Sequence, residues 1–478
     1  MSARRRAPAP PEQGLVEGLT HEGEGVVRAG KTAFVAGSLP GESIRFQRVR
    51  SHRGHDEGRL LEVLVPSADR VQPRCAHFGV CGGCALQHLD ADRQLEAKQA
   101  ELRDTLERVG RTRPLEWLPP LTGPRWAYRR RARLGARFVT KKGRVVVGFR
   151  ERLAPYIAAI DGCEVLAAPA GQLIMPLSQL IGALSIREHV PQVEVAVADN
   201  ATALVLRLMV PPQPADLALL AEFEVRHGVR LYLQSGGVDT AVRLSAAADA
   251  QAAAGQGRTQ DSGLQPPPDE DVGSTPGARP QAPRGEAPLH YRLPQFDVTL
   301  EFRPTDFIQV NGAVNAAMVS RVLELLAPDA GASVLDLFCG LGNFTLPLAR
   351  RVARAVGIEG SAALVERARH NAAMNGIANV QFLAADLTQP LPARAPWMGA
   401  GFSHVVLDPP RAGAVEVLPT IAQLSPRKLV YISCHPGTLA RDVGVLVHDH
   451  RYTLRAAGVL DMFPHTTHVE SVAVLTPA

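Results

Sequence analysis

Three units in series are predicted for this 478-residue chain: an N-terminal OB-like β-barrel, a central mostly β domain, and a C-terminal α/β unit built on a parallel sheet. Three observations carry the prediction. Through residues 13–66, glycines punctuate short β-branched runs at the spacing of a small barrel. The middle of the chain holds further strand-length apolar runs with little helical periodicity. From Arg303 onward, apolar strands alternate with helical stretches, the pattern of a sheet covered on both faces. The length is ample for two to four domains, each with its own core.

Composition narrows the class. A hydrophobic content of 46% and a charged content of 21% are those of an ordinary soluble protein, and no run approaches a membrane span. No membrane partner is expected. The start, Met-Ser-Ala-Arg-Arg-Arg-Ala-Pro-Ala-Pro-Pro, is basic but lacks the apolar stretch of a secretory signal, so residues 1–12 are read as a disordered basic tail. Six cysteines are too few for a disulfide scaffold, which points to a reducing, cytoplasmic location.

In chain order, the barrel strands are expected around Gly14-Leu15-Val16, Gly25-Val26-Val27, Ala33-Phe34-Val35, Ser43-Ile44-Arg45-Phe46 and Leu60 to Val65, with Leu39-Pro40-Gly41-Glu42 as a turn. The pattern H-E-G-E-G-V-V followed by F-V-A-G-S-L-P-G-E resembles a TRAM domain, which implies an RNA-binding barrel. Next come Cys75, Cys81 and Cys84, a C-x5-C-x2-C triplet, with Cys163 79 residues further on. Gly82-Gly83 lets the backbone fold round a bulky centre, so the thiols suit zinc or an iron–sulfur cluster; one C-x2-C pair plus a distant cysteine fits a cluster better. His77 and His88 stand nearby as alternative ligands.

Residues 89–109 read as a helix with Leu95, Leu102, Leu106 and Val109 on one stripe. Between Thr122 and Arg152, eleven basic residues face one acid, Glu151, for a net +10, a density that points to a polyanion. Trp126, Tyr128, Phe138 and Phe149 interleave with these charges as candidate stacking surfaces, unless they belong to a hairpin and pack inward. The runs Val145 to Phe149, Val193 to Val197, Ala203 to Val210 and Arg230 to Gln234 are expected strands of a central domain at 67–303. It is interrupted at 246–288 by a Gly-, Pro- and Ala-rich insertion expected to be disordered.

The C-terminal unit, 304–478, opens its strand series at Ser333 to Phe338 and runs into Cys339-Gly340-Leu341-Gly342-Asn343-Phe344, then a helix over Thr345 to Arg354. A second strand ends at Glu359, 17 residues beyond Gly342, where a carboxylate can accept both hydroxyl protons of a ribose. Asp386 follows the third strand. The form D-L-F-C-G-x-G-N-F with these acids resembles the S-adenosylmethionine site of class I (Rossmann-like) methyltransferases; a dinucleotide fold would want glycine where Thr345 stands. The fourth strand ends at Asp408-Pro409-Pro410-Arg411. Amine-methylating enzymes carry an aromatic residue at the last of these positions, so Arg411 turns attention to Cys434, just past the strand Leu429 to Ile432. A thiol there faces the ligand crevice and is a strong nucleophile once ionised. Glu470 precedes the last strand at the same crevice.

Taken together, F-I-Q-V-N, D-L-F-C-G-L-G-N-F, L-D-P-P-R-A-G, S-C-x-P and D-M-F-P-H-T-x-H-V-E-S, with the cysteine pattern and the barrel, resemble the RNA uracil-5-methyltransferase family in its cluster-containing 23S ribosomal RNA branch. The resemblance covers nearly the whole chain. It implies Cys434 as nucleophile and Glu470 as base, and a methyl-donor site lined by Gln309, Phe338, Asn343, Glu359, Asp386 and Asp408. It also implies an Fe4S4 cluster on Cys75, Cys81, Cys84 and Cys163, 23S ribosomal RNA (a U1939-type site) as substrate, and a monomer. His435 stands where the family has Asn and could perturb the neighbouring thiol. The same reaction on a transfer RNA T-loop uridine is the first rival, and a non-catalytic RNA-binding protein the second. A cytosine methyltransferase would want Pro where Ser433 stands.

Overall fold

The computed structural model describes residues 9–249, 286–389, 397 and 401–478. Residues 1–8 of the expected tail and 250–285 of the expected insertion lie outside the described residues. The first five strands, β1 (Glu12–Leu19), β2 (Glu24–Val27), β3 (Ala33–Ala36), β4 (Ser43–Ser51) and β5 (Asp56–Val65), close into a barrel in the order β1-β2-β3-β5-β4. Alternation puts Val16, Val27, Val35, Ile44 and Phe46 inside it, and closure removes the open edges that so small a sheet would otherwise expose. Strand β1 begins within the stretch expected as tail.

The central segments are α1 (Ala91–Arg108), β6 (Glu116–Trp117), β7 (Arg131–Val139), β8 (Arg144–Gly148), α2 (Ile174–Ala183), β9 (Gln192–Val197), β10 (Thr202–Arg207), α3 (Pro214–His227), β11 (Arg230–Gln234) and β12 (Ala241–Arg243). A six-stranded sheet runs β12-β11-β10-β9-β7-β8, with Leu134, Ile174, Ile181, Leu204 and Leu220 in the core under its helices. A hairpin, β13 (Leu289–Leu293) and β14 (Val298–Phe302), then packs Tyr291 and Leu300 into the core of the C-terminal unit.

That unit contains α4 (Gly312–Leu326), β15 (Ser333–Leu337), α5 (Thr345–Ala349), β16 (Arg354–Glu359), α6 (Ala362–Met374), β17 (Val380–Ala384), β18 (His404–Leu407), α7 (Leu418–Leu424), β19 (Lys428–Ser433), α8 (Pro436–His448), β20 (Tyr452–Leu460) and β21 (Glu470–Pro477). Its eight-stranded sheet has the order β17-β16-β15-β18-β19-β21-β20-β6. Strands β15 to β19 are parallel, and β21 inserts antiparallel between β19 and β20. The order reverses on either side of β15, so the crevice opens at the carboxyl ends of these strands. No helix among the described residues is long and apolar enough to cross a membrane.

Three expectations change. Helix α5 stops at Ala349 rather than Arg354, because Arg354 is already the first residue of β16. Helix α1 forms, but it packs on α8 and β20, and β6 joins the C-terminal sheet, so both lie outside the central sheet. The buried face of α1 is Gln94, Lys98, Leu102 and Leu106, whereas Val109 is 54% exposed. The aromatics of the basic segment pack inward: Tyr128 is buried with its hydroxyl donating to the Pro464 carbonyl at 3.0 Å, and Phe149 is covered by the Arg129 guanidinium. Phe138 lies under Arg187, and Trp126 is held between His465 and Arg74. The cations divide as well. Arg125 pairs with Asp92, Arg130 with Asp199, and Arg131 and Arg133 with Glu194, while Arg137, Lys141, Lys142, Arg144 and Arg150 stand exposed.

Candidate active site

The carboxyl ends of the parallel strands gather residues that the sequence assigns to a methyl-donor site. Phe338 leaves β15 in the left-handed region (φ 65°), followed by Gly340 (φ 54°) and Gly342 (φ 92°). Three such residues in five bend the chain sharply, and at the last two the missing Cβ removes the steric cost. Glu359, the last residue of β16, braces this turn: its Oε2 accepts from Gly340 N–H and its Oε1 from Ser361 N–H, each at 3.0 Å. Asp386 follows β17 and is exposed; hydrogen bonds from the Thr388 hydroxyl and N–H hold its carboxyl below the usual range. Asp408 follows β18. It keeps some surface open to the cleft, yet the surrounding protein pushes its pKa up to about 7, against a hydrogen bond at 3.4 Å from Gln309 Nε2 that lowers it.

Asn343 is engaged within the protein. Its Oδ1 accepts from Tyr291 hydroxyl and Asn315 Nδ2, and its Nδ2 donates to Asn315 Oδ1, all at 3.0 Å. The side-chain amide thereby ties the glycine turn to α4 and the β13–β14 hairpin. Asp336, which had no assigned role, lies buried beneath the turn. Burial, with Asp408 and Glu359 as neighbouring charges, raises its pKa to about 7 against a hydrogen bond from Thr345 Oγ1, and its Oδ1 has no partner.

The placing of Cys434 follows from one register. Strands β19 and β21 pair Ser433 with Ser471, so Cys434, just past β19, and Glu470, the first residue of β21, come to the same end of the sheet, close enough for their charges to interact. Because β21 runs antiparallel, its first residue falls at the crevice end of β19. Glu470 is 3% exposed, and burial first, then the Asp408 charge, drives its pKa well above the carboxylate range; Arg411 acts the other way. The Cys434 thiol is pushed up to about 11 by burial and by Glu470, with Arg411 opposing. Arg411 is therefore the cation common to both groups. Its guanidinium donates to His468 Nδ1 at 2.9 Å.

The loop carrying Arg411 is clamped from α8. Asp442 accepts from Ala414 N–H (2.8 Å) and Tyr431 hydroxyl (2.6 Å) on one oxygen and from Arg441 Nε (2.7 Å) on the other, while Arg441 Nη2 donates to the Ala412 carbonyl. His435 does not turn toward the thiol. Its Nδ1 accepts from Thr438 N–H at 3.2 Å and caps the first turn of α8, the position at which Asn, Asp or Ser serves equally.

Cys75, Cys81, Cys84 and Cys163 line one cavity, walled otherwise largely by Phe78, Phe149, Ile160 and Val165. Burial, reinforced by the neighbouring thiols, pushes Cys81 to about 11 and Cys84 to about 12, and raises Cys163. Four thiols in so apolar a space form a soft donor set that only a bound cationic centre would keep ionised. Among the described residues, no three His, Cys, Asp or Glu side chains converge in an arrangement that could hold a metal ion as they stand. Of the alternative ligands, His77 accepts from Asp161 N–H at 3.1 Å, and His88 is buried with neither ring nitrogen bonded.

Comparison with known proteins agrees with this geometry. Residues 292–477 match the family model described as tRNA (Uracil-5-)-methyltransferase. The 23S rRNA (uracil(1939)-C(5))-methyltransferase RlmD of Alkalilimnicola ehrlichii is 47% identical, with 98% of each chain covered. The protein of the same name from Nitrosococcus oceani is 48% identical over 97% of this chain and 96% of its own. Among solved structures, the Pyrococcus abyssi tRNA (uracil-54, C5)-methyltransferase in complex with S-adenosyl-L-homocysteine superposes with a TM-score of 0.70 at 24% identity, covering 97% of this chain and 99% of that one, which establishes the shared fold. With relatives nearly half identical from end to end, the chain belongs to the family of 23S rRNA (uracil-C5)-methyltransferases.

Proposed function

We propose that this protein methylates carbon 5 of a uracil in 23S ribosomal RNA, at a U1939-type site, with S-adenosylmethionine as methyl donor, Cys434 as nucleophile and Glu470 as proton acceptor. The observation that carries the reading is the facing of Cys434 and Glu470 across adjacent strand ends, with Arg411 and Asp408 beside them. Carbon 5 of uracil is electron-poor. Attack of the Cys434 thiolate on carbon 6 forms the C6–Sγ bond and moves the ring electrons onto the oxygen at carbon 4, an enolate that Arg411 is placed to stabilise. Carbon 5 then takes the donor methyl, and the sulfonium leaves as a neutral thioether. Glu470 accepts the carbon 5 proton; the released electron pair restores the ring double bond and expels Cys434 as thiolate. A carboxylate with a raised pKa holds that proton well, which suits the task.

Gln309, Phe338, Asn343, Glu359, Asp386 and Asp408 form the proposed donor pocket. In it, Glu359 and Asp386 accept hydrogen bonds from the donor, and Asn343 acts through the turn it anchors. The barrel and the exposed cations of β7, β8 and the turn between them are proposed to hold RNA phosphates while the target base is swung out of its stack. Cys75, Cys81, Cys84 and Cys163 are proposed to hold an Fe4S4 cluster, which spreads its thiolates over four irons instead of converging them on one ion. When bound it would tie the loop of Cys75, Cys81 and Cys84 to the segment of Cys163. The protein is proposed to act as a cytoplasmic monomer.

The test is transfer of labelled methyl from S-adenosylmethionine to unmodified 23S rRNA and to tRNA in parallel, with Cys434→Ala as control. Labelling of 23S rRNA that vanishes in the variant is expected. Labelling of tRNA alone, or an unchanged rate in the variant, overturns the proposal. Anaerobic purification with iron, sulfide and zinc analysis decides the cluster: four irons and four sulfides per chain are expected, and zinc without iron refutes it.

A further inference from the structure

The segment that carries Glu470 is held mainly from the N-terminal half of the chain. His465 sits in this segment with φ 65°, a left-handed conformation costly for a residue with a Cβ, which persists only where its surroundings over-determine it. Its N–H donates to Gln94 Oε1 at 3.0 Å, and its carbonyl accepts from Ala85 N–H (2.9 Å) and Leu86 N–H (3.0 Å). Gln94 Nε2 in turn donates to the Leu86 and Leu89 carbonyls at 3.0 and 2.8 Å, so one amide fastens both segments. One turn along α1, Lys98 reaches the same segment. Its Nζ donates to Asp461 Oδ1 at 2.8 Å and to the Phe463 carbonyl at 2.9 Å, and both members of the ion pair are buried, Lys98 at 3% and Asp461 at 5% exposure.

Such placement is unusual for helix α1. Its two most deeply buried polar side chains occupy the stripe where an amphipathic helix ordinarily places leucine. A buried amide and a buried ammonium are costly unless satisfied; here the segment at 461–465 takes both Lys98 bonds and supplies the donor to Gln94 Oε1, while the Leu86 and Leu89 carbonyls take Gln94 Nε2. The segment continues through His468, which holds Arg411, to Glu470. We propose that Gln94 and Lys98 are positioning residues: they set the backbone from Asp461 to His465 so that Glu470 meets the carbon 5 proton. The proposal rests on the reading of Glu470 as the proton acceptor. In that reading the affected step is the last one, in which the C5–H proton passes to Glu470 and the C6–Sγ bond breaks; formation of the adduct and methyl transfer precede it.

The test uses the full-length protein with 23S rRNA transcript and labelled S-adenosylmethionine, following labelled covalent protein–RNA adduct on denaturing gels alongside released product. Gln94→Leu is the main variant. Lys98→Met/Asp461→Leu is the second, because removing both charges leaves no unpaired ion in the interior. Glu470→Gln is the reference. A displacement of about 1 Å at a reacting group lowers a rate by roughly 100-fold. Both variants are therefore expected to release product about 100-fold more slowly, with KM for RNA and for donor within about twofold of the parent, while methylated adduct accumulates as in Glu470→Gln. Product release at the parental rate overturns the proposal. So does a loss of adduct formation and turnover together when Glu470→Gln still accumulates adduct. If Glu470→Gln itself accumulates none, the assignment of the base falls, and the proposal with it.

Discussion

In the donor-free protein the proposed nucleophile, Cys434, should be nearly silent, and the methyl donor should awaken it by charge alone. Burial and the acids at the crevice push the Cys434 thiol to about 11. At pH 7.5 such a thiol is ionised to about three parts in ten thousand, against about one in ten for an ordinary cysteine of pKa about 8.5, a deficit of roughly 300-fold. A more basic thiolate is intrinsically more reactive in disulfide exchange, with a Brønsted slope near 0.45, which returns a factor of about 13. The net expectation is exchange with a neutral aryl disulfide about 20-fold slower than for free cysteine, rising with pH toward a plateau above about 11. A sulfonium charge bound within about 7 Å, at an effective dielectric of about 20, would stabilise the thiolate by about 2.4 kcal/mol, or roughly 1.7 pK units. The thiolate fraction then rises about 55-fold while its intrinsic reactivity falls about sixfold on the same Brønsted slope, so S-adenosylmethionine should raise the exchange rate at Cys434 by about ninefold, whereas S-adenosylhomocysteine, of nearly the same shape but without the charge, should not. The assay is stopped-flow exchange with mass mapping of the peptide containing Cys434, and Cys434→Ala as blank. A midpoint below pH 9 in the free protein, or equal rates with the two sulfur compounds, refutes the electrostatic argument.

Three further outcomes are expected. Glu359→Ala removes the acceptor for Gly340 and Ser361 N–H, and should raise the dissociation constant for the donor by roughly 10-fold or more, at about 1.5–3 kcal/mol for hydrogen bonds to a charged group, while leaving RNA affinity unchanged by filter binding. Asp442→Ala strips the clamp from the Arg411 loop and leaves the Ala414 N–H and the Tyr431 hydroxyl unpartnered; a destabilisation of about 1–3 kcal/mol per stranded donor in urea titration is expected, with activity falling in parallel. Replacing the exposed Lys141, Lys142 and Arg144 by Ala should weaken RNA binding and reduce the slope of log K against log salt by about 2, at roughly 0.7 per lost phosphate contact on single strands; an unchanged slope would remove this turn from the RNA surface.

Much of the crevice was legible in one dimension because its chemistry sits at strand ends. A buried parallel strand is a short apolar run, and the residue just past it faces the ligand side whatever the rest of the chain does. Asp408 and Cys434, like Glu359 and Asp386, could be placed by that rule alone. The glycine turn after β15 could be read because φ values of 54° and 92° need residues without a Cβ. Other features gave no local sign. That Asn343 is spent on Asn315 and Tyr291 depends on a hairpin 50 residues earlier, and the role of His435 as a cap depends on how its ring turns. The aromatics among the basic residues looked like stacking surfaces, yet they were claimed by partners such as Pro464, Arg187 and His465, distant in sequence.

The order of residues alone determined the barrel, the alternating α/β unit, the cysteine pattern and the identity of the acids and thiol at the crevice, since each of these depends on neighbours within a few turns or strand lengths. Only tertiary structure decided that β21 enters antiparallel beside β19, bringing Glu470 to the strand end that Cys434 follows, and that β6 leaves the middle of the chain to join the C-terminal sheet with α1 packed on the same unit. Gln94 and Lys98 show why. On a helix drawn alone, two polar residues on the apolar stripe look like defects; they become comprehensible only when the partners they bond, 363 to 371 residues away, are brought against them. Local patterns report propensity and burial, whereas the pairing of buried polar groups depends on which surfaces meet.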